Sequence, residues 1–324
     1  MRLDYFIFKL ISKVVLKVFP RKNEILNRET NADKSAQLIY TLLMSDKPVM
    51  IARFGSTELM CMVNYLGVKS GKPNLLKYFS GNELDWWWKD TSLNQIEQWS
   101  GFFPPTVENV ERFCEMMIAD SSKVDVLASW LSDEIYFKNE LSNATFIQGL
   151  FLDPFWSKIP WTLALKNKKV LVIHPFQNTI ISQYEKREIL FQNSNLLPEF
   201  ELKTIKAVQS LGGESDFSSW FEALEFMKSE ITKVDFDICL IGAGAYGFPL
   251  AAYVKSLGKK AVHIGGSLQL LFGIKGKRWE NPLYGIGELG EEGMYIKLMN
   301  ENWIFPGDEG KPSNADKVEG ACYW

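Results

Sequence analysis

Phe236-Asp-Ile-Cys-Leu-Ile-Gly-Ala-Gly-Ala-Tyr-Gly247 opens as a near-continuous apolar run and ends in three glycines spaced G-x-G-x-x-G. Such a run, too short for a buried helix and bounded by glycine, reads as a strand buried on both faces. The glycines then form a tight turn onto a helix, so that backbone can approach a phosphate at the helix N-terminus. The other reading is that they serve only to let helix and strand pack closely. The acidic residue that would hold a ribose about 20 positions on is absent, because the next strand, Lys260-Ala-Val-His-Ile264, closes on Val262-His263. This argues against a dinucleotide site, and an NAD(P)-dependent enzyme remains an alternative resting on the glycines alone.

The same strand-turn-helix grammar recurs along the chain. Lys47-Pro-Val-Met-Ile-Ala-Arg53 is a short apolar strand, and Gly55 and Ser56 turn into a helix carrying Leu59, Met60, Val63 and Leu66. Lys169-Val-Leu-Val-Ile-His174 is another strand, followed by a helix over 179–191. Residues 124–129 and 200–208 read as strands, and 33–44, 217–231 and a stretch beginning at the Thr106 cap as helices. Repeated β-α alternation predicts an α/β, Rossmann-like, mostly parallel sheet with helices on both faces. The expected organisation is an amphipathic N-terminal helix and linker over 1–30, a Rossmann-like domain over 31–305, and a C-terminal tail over 306–324 that is polar and Gly/Pro-rich in its first half, a flexible strap.

Composition narrows the class. The 324 residues are 46% hydrophobic and 23% charged, ordinary values for a globular chain, and the formal net charge of -3 gives no basic excess for binding nucleic acid. Cys61, Cys114, Cys239 and Cys322 are widely spaced with no C-x-x-C pair, which fits buried thiols in a reducing compartment. Lys9, Lys13 and Lys17 lie on one stripe of an otherwise apolar N-terminal helix. That helix reads either as one lying on an anionic membrane surface or as one packing onto the domain. Neither a secretory signal nor a spanning segment is expected, which places the protein in the cytoplasm, with the inner face of the cytoplasmic membrane as its peripheral site.

Ligands of open α/β sheets bind beyond the carboxyl ends of the strands. The polar residues there are Arg53 to Glu58, His174 to Asn178, 242–247 and His263 to Gln269. Both histidines of the chain fall at such ends, so His174 and His263 are candidate general bases or, equally, structural histidines; Glu58 is a further candidate base, or an acid that serves the dipole of its helix. Gln183, Tyr184 and Arg187 fall within one turn of a helix and form a candidate phosphate or sugar clamp. Lys275-Gly-Lys-Arg-Trp279 is the densest basic cluster outside the N-terminus, and its Lys277 and Arg278 can neutralise a diphosphate. Trp86-Trp87-Trp88 is either a sugar platform or core.

Arg53-Phe-Gly-Ser-Thr-Glu58 resembles the R-F-G-D-G-E signature of the GT-D-fold glycosyltransferases of bacterial surface-polysaccharide synthesis. The segments 237–252 and 258–266 are similar to that family's closing strand-helix-strand. The likeness lies at these two ends of the domain, is weak through 70–165, and does not extend to the N-terminal arm or the tail. It implies a hexosyltransferase-class enzyme that moves a sugar from a nucleoside-diphosphate donor to a glycan or lipid-linked acceptor. It also implies nucleotide contacts from Arg53, Gly55, Ser56, Gly242, Gly244, Tyr246 and Gly247. In the family the Asp-x-Glu pair holds a divalent metal. Here Ser56 replaces the Asp, leaving Glu58 to hold Mn²⁺ or Mg²⁺ with help from substrate phosphates or from Asp85 or Glu280, or leaving the site metal-independent. The same replacement motivates a further alternative, a non-catalytic nucleotide-binding or scaffold subunit of a glycan-assembly complex.

Overall fold

The computed structural model describes residues 3–18, 25–71, 73–210, 215–309, 311 and 321–324. In chain order the elements are α1 (Leu3–Val18), α2 (Ala32–Met44), β1 (Val49–Ala52), α3 (Ser56–Ser70), α4 (Leu75–Phe79), α5 (Asp90–Ser100), α6 (Val107–Ser121), β2 (Val126–Ser129) and β3 (Thr145–Gln148). They continue as β4 (Lys169–His174), α7 (Gln177–Tyr184), α8 (Arg187–Leu190), β5 (Glu201–Lys206), α9 (Trp220–Thr232), β6 (Ile238–Ile241), α10 (Gly247–Ser256), β7 (Lys260–His263), α11 (Leu268–Leu271) and α12 (Ile286–Leu289).

Among the described residues the sheet has seven strands, all parallel and ordered β3-β2-β1-β7-β6-β4-β5. Alternate strand residues feed two separate cores. Met50, Ala52, Leu171, Ile173, Cys239 and Ile241 pack under α3, α6, α9 and α10. Val49, Ile51, Val170, Val172, Ile238 and Leu240 pack under α2, α7 and α11. Burial on both faces is why these strands are apolar without a break, and the fold is the α/β, Rossmann-like architecture expected.

Strand order also locates a ligand crevice. From β4 the chain moves outward to β5, whereas from β6 it moves the other way to β7, so α7 and α10 cover opposite faces. The divergence opens a crevice between the carboxyl ends of β4 and β6.

Three expectations change. The helix read over 179–191 breaks at Glu185 and Lys186 into α7 and α8. The linker before residue 31 joins the sheet edge: Glu29 bridges Ile147, its N–H donating to Phe146 O at 2.9 Å while Gln148 N donates back to Glu29 O at 2.9 Å. The strap expected over 306–314 is tied down where it is described, since Pro306 is buried and the Glu309 carboxylate accepts from Asn178 N and Thr179 N; residues 310 and 312–320 lie outside the described residues.

Candidate functional site

The carboxyl ends of β1, β6 and β7 surround a cleft of about 530 Å³, and a recess of about 80 Å³ continues from it to the β4–β6 crevice. Trp99, Ser100, Gly244, Gly266 and Tyr323 line both, so the two form one continuous depression.

The first wall is the β1-α3 turn. Gly55 caps α3 with ordinary extended backbone (φ -77°, ψ 147°) and lends no side chain to the cap. The Glu58 side chain, buried at the third helical position, curls back over it: a Cβ on Gly55 would fall 1.9 Å from Glu58 Oε2. Glycine is therefore needed here for close approach, and it places the carboxylate at the positive end of a 15-residue helix. Ser56 and Glu58 both line the cleft. At the end of β1 the Arg53 guanidinium lies 4.8 Å from the centre of the Trp130 ring, whose Nε1 donates to Phe54 O at 2.9 Å.

The glycines at 242–247 divide their labour. A Cβ on Gly242 would meet His174 Cδ2 at 2.7 Å and Gly265 O at 2.8 Å, and one on Gly247 would meet His263 Nε2 at 2.3 Å. These two admit the histidine rings. Gly244, with φ +50°, would have Ser100 O at 3.8 Å as its nearest neighbour. It is the position where backbone faces open cleft. Tyr246 stacks on Trp220 at 4.9 Å and shares a 2.9 Å hydrogen bond with Ser210 Oγ, fixing the turn.

The two histidines line this depression, His174 in the recess and His263 in the cleft. Burial alone lowers the pKa of His174 from 6.5 to about 3. Its Nδ1 accepts the Phe176 N–H at 3.0 Å, so the proton of the neutral ring sits on Nε2. Burial, reinforced by the Arg53 charge and opposed by a hydrogen bond to the Arg53 backbone, likewise lowers His263 to about 3. A ring with so low a pKa is a weak general base near neutrality. Desolvation thus lowers the basicity of both imidazoles and keeps them in the neutral form.

Reading the sequence alone missed Asp153. Its Oδ1 accepts from Ser267 Oγ and its Oδ2 from Tyr295 OH, each at 2.6 Å. Burial raises its pKa, while those two hydrogen bonds and the Arg53 charge pull it down. It sets Ser267 on the cleft wall, and its only sequence signal was a lone acid in the apolar run Gly149-Leu-Phe-Leu-Asp-Pro-Phe-Trp156. Trp99 and Trp130 were also missed as site residues. They stay 39% and 40% exposed while lining the cleft.

The chain's last residues build the far wall. Gln269 Nε2 donates to Tyr323 O at 3.1 Å, and Arg278 N donates to Cys322 O at 3.1 Å. Arg278 Nη1 donates to Tyr323 OH at 3.3 Å, and the guanidinium sits 4.9 Å from that ring's centre. Arg53 and Arg278 thus both line the cleft. The third strand end is filled from within, since the Glu309 carboxylate accepts from Asn178 N at 2.7 Å, from Thr179 N at 2.8 Å and from Thr179 Oγ1.

Other expected site residues lie elsewhere. Gln183 is buried, its Nε2 donating to Asn302 O at 3.0 Å and Gly273 O at 3.3 Å. Arg187 faces Glu188 and Glu199 at 3.5 and 3.8 Å. These pairings leave no Gln183–Tyr184–Arg187 clamp. Lys277 and Glu280 are exposed and line neither depression. Asp85 accepts from Tyr78 OH at 2.6 Å and pairs with Lys89 at 2.6 Å. Trp86 and Trp87 pack against Tyr5 of α1 and form no sugar platform.

Among the described residues no group of three or more His, Cys, Asp and Glu could hold a metal ion. The carboxylates that line the cleft, Glu58 and Glu288, belong to no such group, and with the Ser56 hydroxyl they do not fit the oxygen-rich shell that Mg²⁺ or Mn²⁺ requires.

No family model matches this chain, and no curated protein sequence matches it. Among solved structures it is similar to the "Selenomethionine substituted structure of domain of unknown function 1792 (DUF1792)", at 11% identity over 92% of this chain and 98% of that one, with a TM-score of 0.37.

Proposed function

We propose that this protein is a glycosyltransferase that uses a nucleoside-diphosphate sugar and handles the diphosphate with arginines rather than with a metal. The observation that carries the reading is one cleft lined by Arg53, Arg278, the N-terminus of α3 and the Gly244 backbone, with the partly exposed rings of Trp99 and Trp130 beside them. Two guanidinium groups and helix-terminal N–H groups suit a diphosphate. Aromatic faces suit a base or a pyranose ring.

In the reaction the bond from the sugar anomeric carbon to the diphosphate oxygen breaks, and a bond from that carbon to an acceptor hydroxyl oxygen forms. In this reading the hydroxyl proton passes to the Glu58 carboxylate, the acid of the β1-α3 wall. Arg53 and Arg278 offset the charge gathering on the departing nucleoside diphosphate. The acceptor we propose is a glycan or lipid-linked glycan, as in surface polysaccharide synthesis.

A second reading, a nucleotide-binding subunit without turnover, draws support from the single carboxylate of this wall. Isothermal titration with UDP, GDP and NAD⁺ in EDTA tests the shared part. Binding of a nucleoside diphosphate, weakened about tenfold or more in Arg53→Ala and Arg278→Ala, is expected. Binding of NAD⁺ alone, or of no nucleotide, contradicts the proposal.

A further inference from the structure

Helix α1 carries two apolar faces, and the body of the protein covers one of them. On the covered face, Tyr5 stacks on Trp87 at 4.2 Å with an interplanar angle of 5°, Phe8 meets Trp86 at 5.7 Å and Phe79 at 6.1 Å, and Ser12 Oγ donates to Tyr78 O at 3.5 Å. Trp86 and Trp87, with Tyr78 and Phe79 of α4, are therefore the dock for this helix. On the other side Phe6, Leu10, Val14 and Val18 are each more than half exposed, and Ile7 and Ile11 are also open. A spacing of four aligns Phe6, Leu10, Val14 and Val18 in one strip. Lys9, Lys13 and Lys17, at the same spacing, run along the border between the two faces, and Asp4 is the acid of the first turn. Beside α1, the short helix α4 leaves Leu76 81% exposed and Leu75 open.

A contiguous apolar strip on a docked helix marks a surface with a partner. We propose that α1 lies in the headgroup region of an anionic lipid bilayer, with Phe6, Leu10, Val14 and Val18 entering the apolar boundary and Lys9, Lys13 and Lys17 meeting lipid phosphates. Charge selects lipid over a second copy of this chain. Two α1 helices packed face to face would bring their lysine stripes together, and the sequence beyond α1 adds Arg21 and Lys22. Among the described residues no helix is long and apolar enough to cross a membrane, so the helix lies along the surface. The inference stands independently of the sugar-transfer reading.

Co-sedimentation of the full chain with sucrose-loaded vesicles tests it. Vesicles of phosphatidylcholine containing roughly a third phosphatidylglycerol should bind the protein at least about tenfold better than phosphatidylcholine alone, and less well as salt rises. Two variants alter exposed residues only: Leu10→Glu with Val14→Glu, and Lys13→Glu with Lys17→Glu. Each should lose about tenfold or more of the binding while melting as the wild type does by circular dichroism. Equal binding to both vesicle types, no binding to either, or binding that survives both variants overturns the proposal. So does light scattering that finds a dimer dissolved by Leu10→Glu with Val14→Glu, which would assign the strip to a second copy.

Discussion

Replacing Gly55 with alanine separates the role of the Glu58 carboxylate from the stability of the fold. The backbone at Gly55 has φ -77° and ψ 147°, which alanine adopts without strain. The new Cβ would meet no backbone within 3 Å; its close neighbours are Glu58 Oε2 at 1.9 Å and Cδ at 2.6 Å. The far end of a side chain can swing away, so the clash resolves by expelling the carboxylate from its place at the α3 N-terminus. Losing that charge-dipole interaction costs about 0.3–1 kcal/mol. The reduced entropy of the unfolded chain on Gly→Ala returns about 0.4–1 kcal/mol. The net change is under about 1 kcal/mol, a shift of roughly 2–4 °C or less in melting temperature. Turnover should fall far more, by about 10²-fold or beyond, because a displaced general base forfeits most of its 10²–10⁴ contribution. The assay is release of nucleoside diphosphate from a nucleotide-sugar, beside a thermal melt, for Gly55→Ala and Glu58→Gln. Wild-type turnover in Gly55→Ala alongside an inactive Glu58→Gln would refute the claim that this glycine positions the base.

Further expectations follow from the same contacts. Gly242→Ala would press a Cβ to 2.8 Å from the Gly265 carbonyl oxygen and 2.7 Å from His174 Cδ2. With little freedom to yield, it should lose about 1–3 kcal/mol, read in a denaturant melt. Trp99→Ala and Trp130→Ala remove the partly exposed rings of the cleft and should weaken nucleotide-sugar binding by about fivefold or more each by titration, with little change in melting temperature. Acidification should destabilise the fold through the histidines. Their folded pKa values lie near 3 against an ordinary 6.5, so below pH 6.5 the unfolded chain takes up protons that the folded one refuses. Stability present at neutrality is then lost as pH falls toward 3, by about 2 kcal/mol per histidine at pH 5. His174→Gln should flatten its share of that slope in melts at pH 7.5 and 5.0, and an unchanged slope would contradict the burial account.

The parallel sheet was legible because its strands announce themselves locally. The runs at 49–52, 169–174, 238–241 and 260–263 are apolar on both faces, and glycine or proline punctuates their ends. β3 was not, since it lies near the sheet edge with Thr145 exposed, and lacks a buried run. The position of both histidines at strand ends could be read from sequence, but their ionisation could not, because it depends on how deeply α10 and the glycine turn bury them. The wall formed by Tyr323 depends on Gln269 and Arg278, about 50 residues away in the chain, and no local pattern records that pairing. Trp99 and Trp130 differ from Trp86 and Trp87 only in what packs over them, which is why the tryptophan run drew attention to the wrong rings. Gln183 and Arg187 do not share one helix, because the chain breaks between α7 and α8, and they turn toward Asn302 and Glu199.

The most direct test of the central claim is turnover of a panel of nucleoside-diphosphate sugars in EDTA by the full chain, with Glu58→Gln as control. The account predicts release of the nucleoside diphosphate without added metal, reduced about 10²-fold or more in Glu58→Gln. Nucleotide binding with no release from any donor, or release that depends wholly on added Mn²⁺ or Mg²⁺, would contradict it.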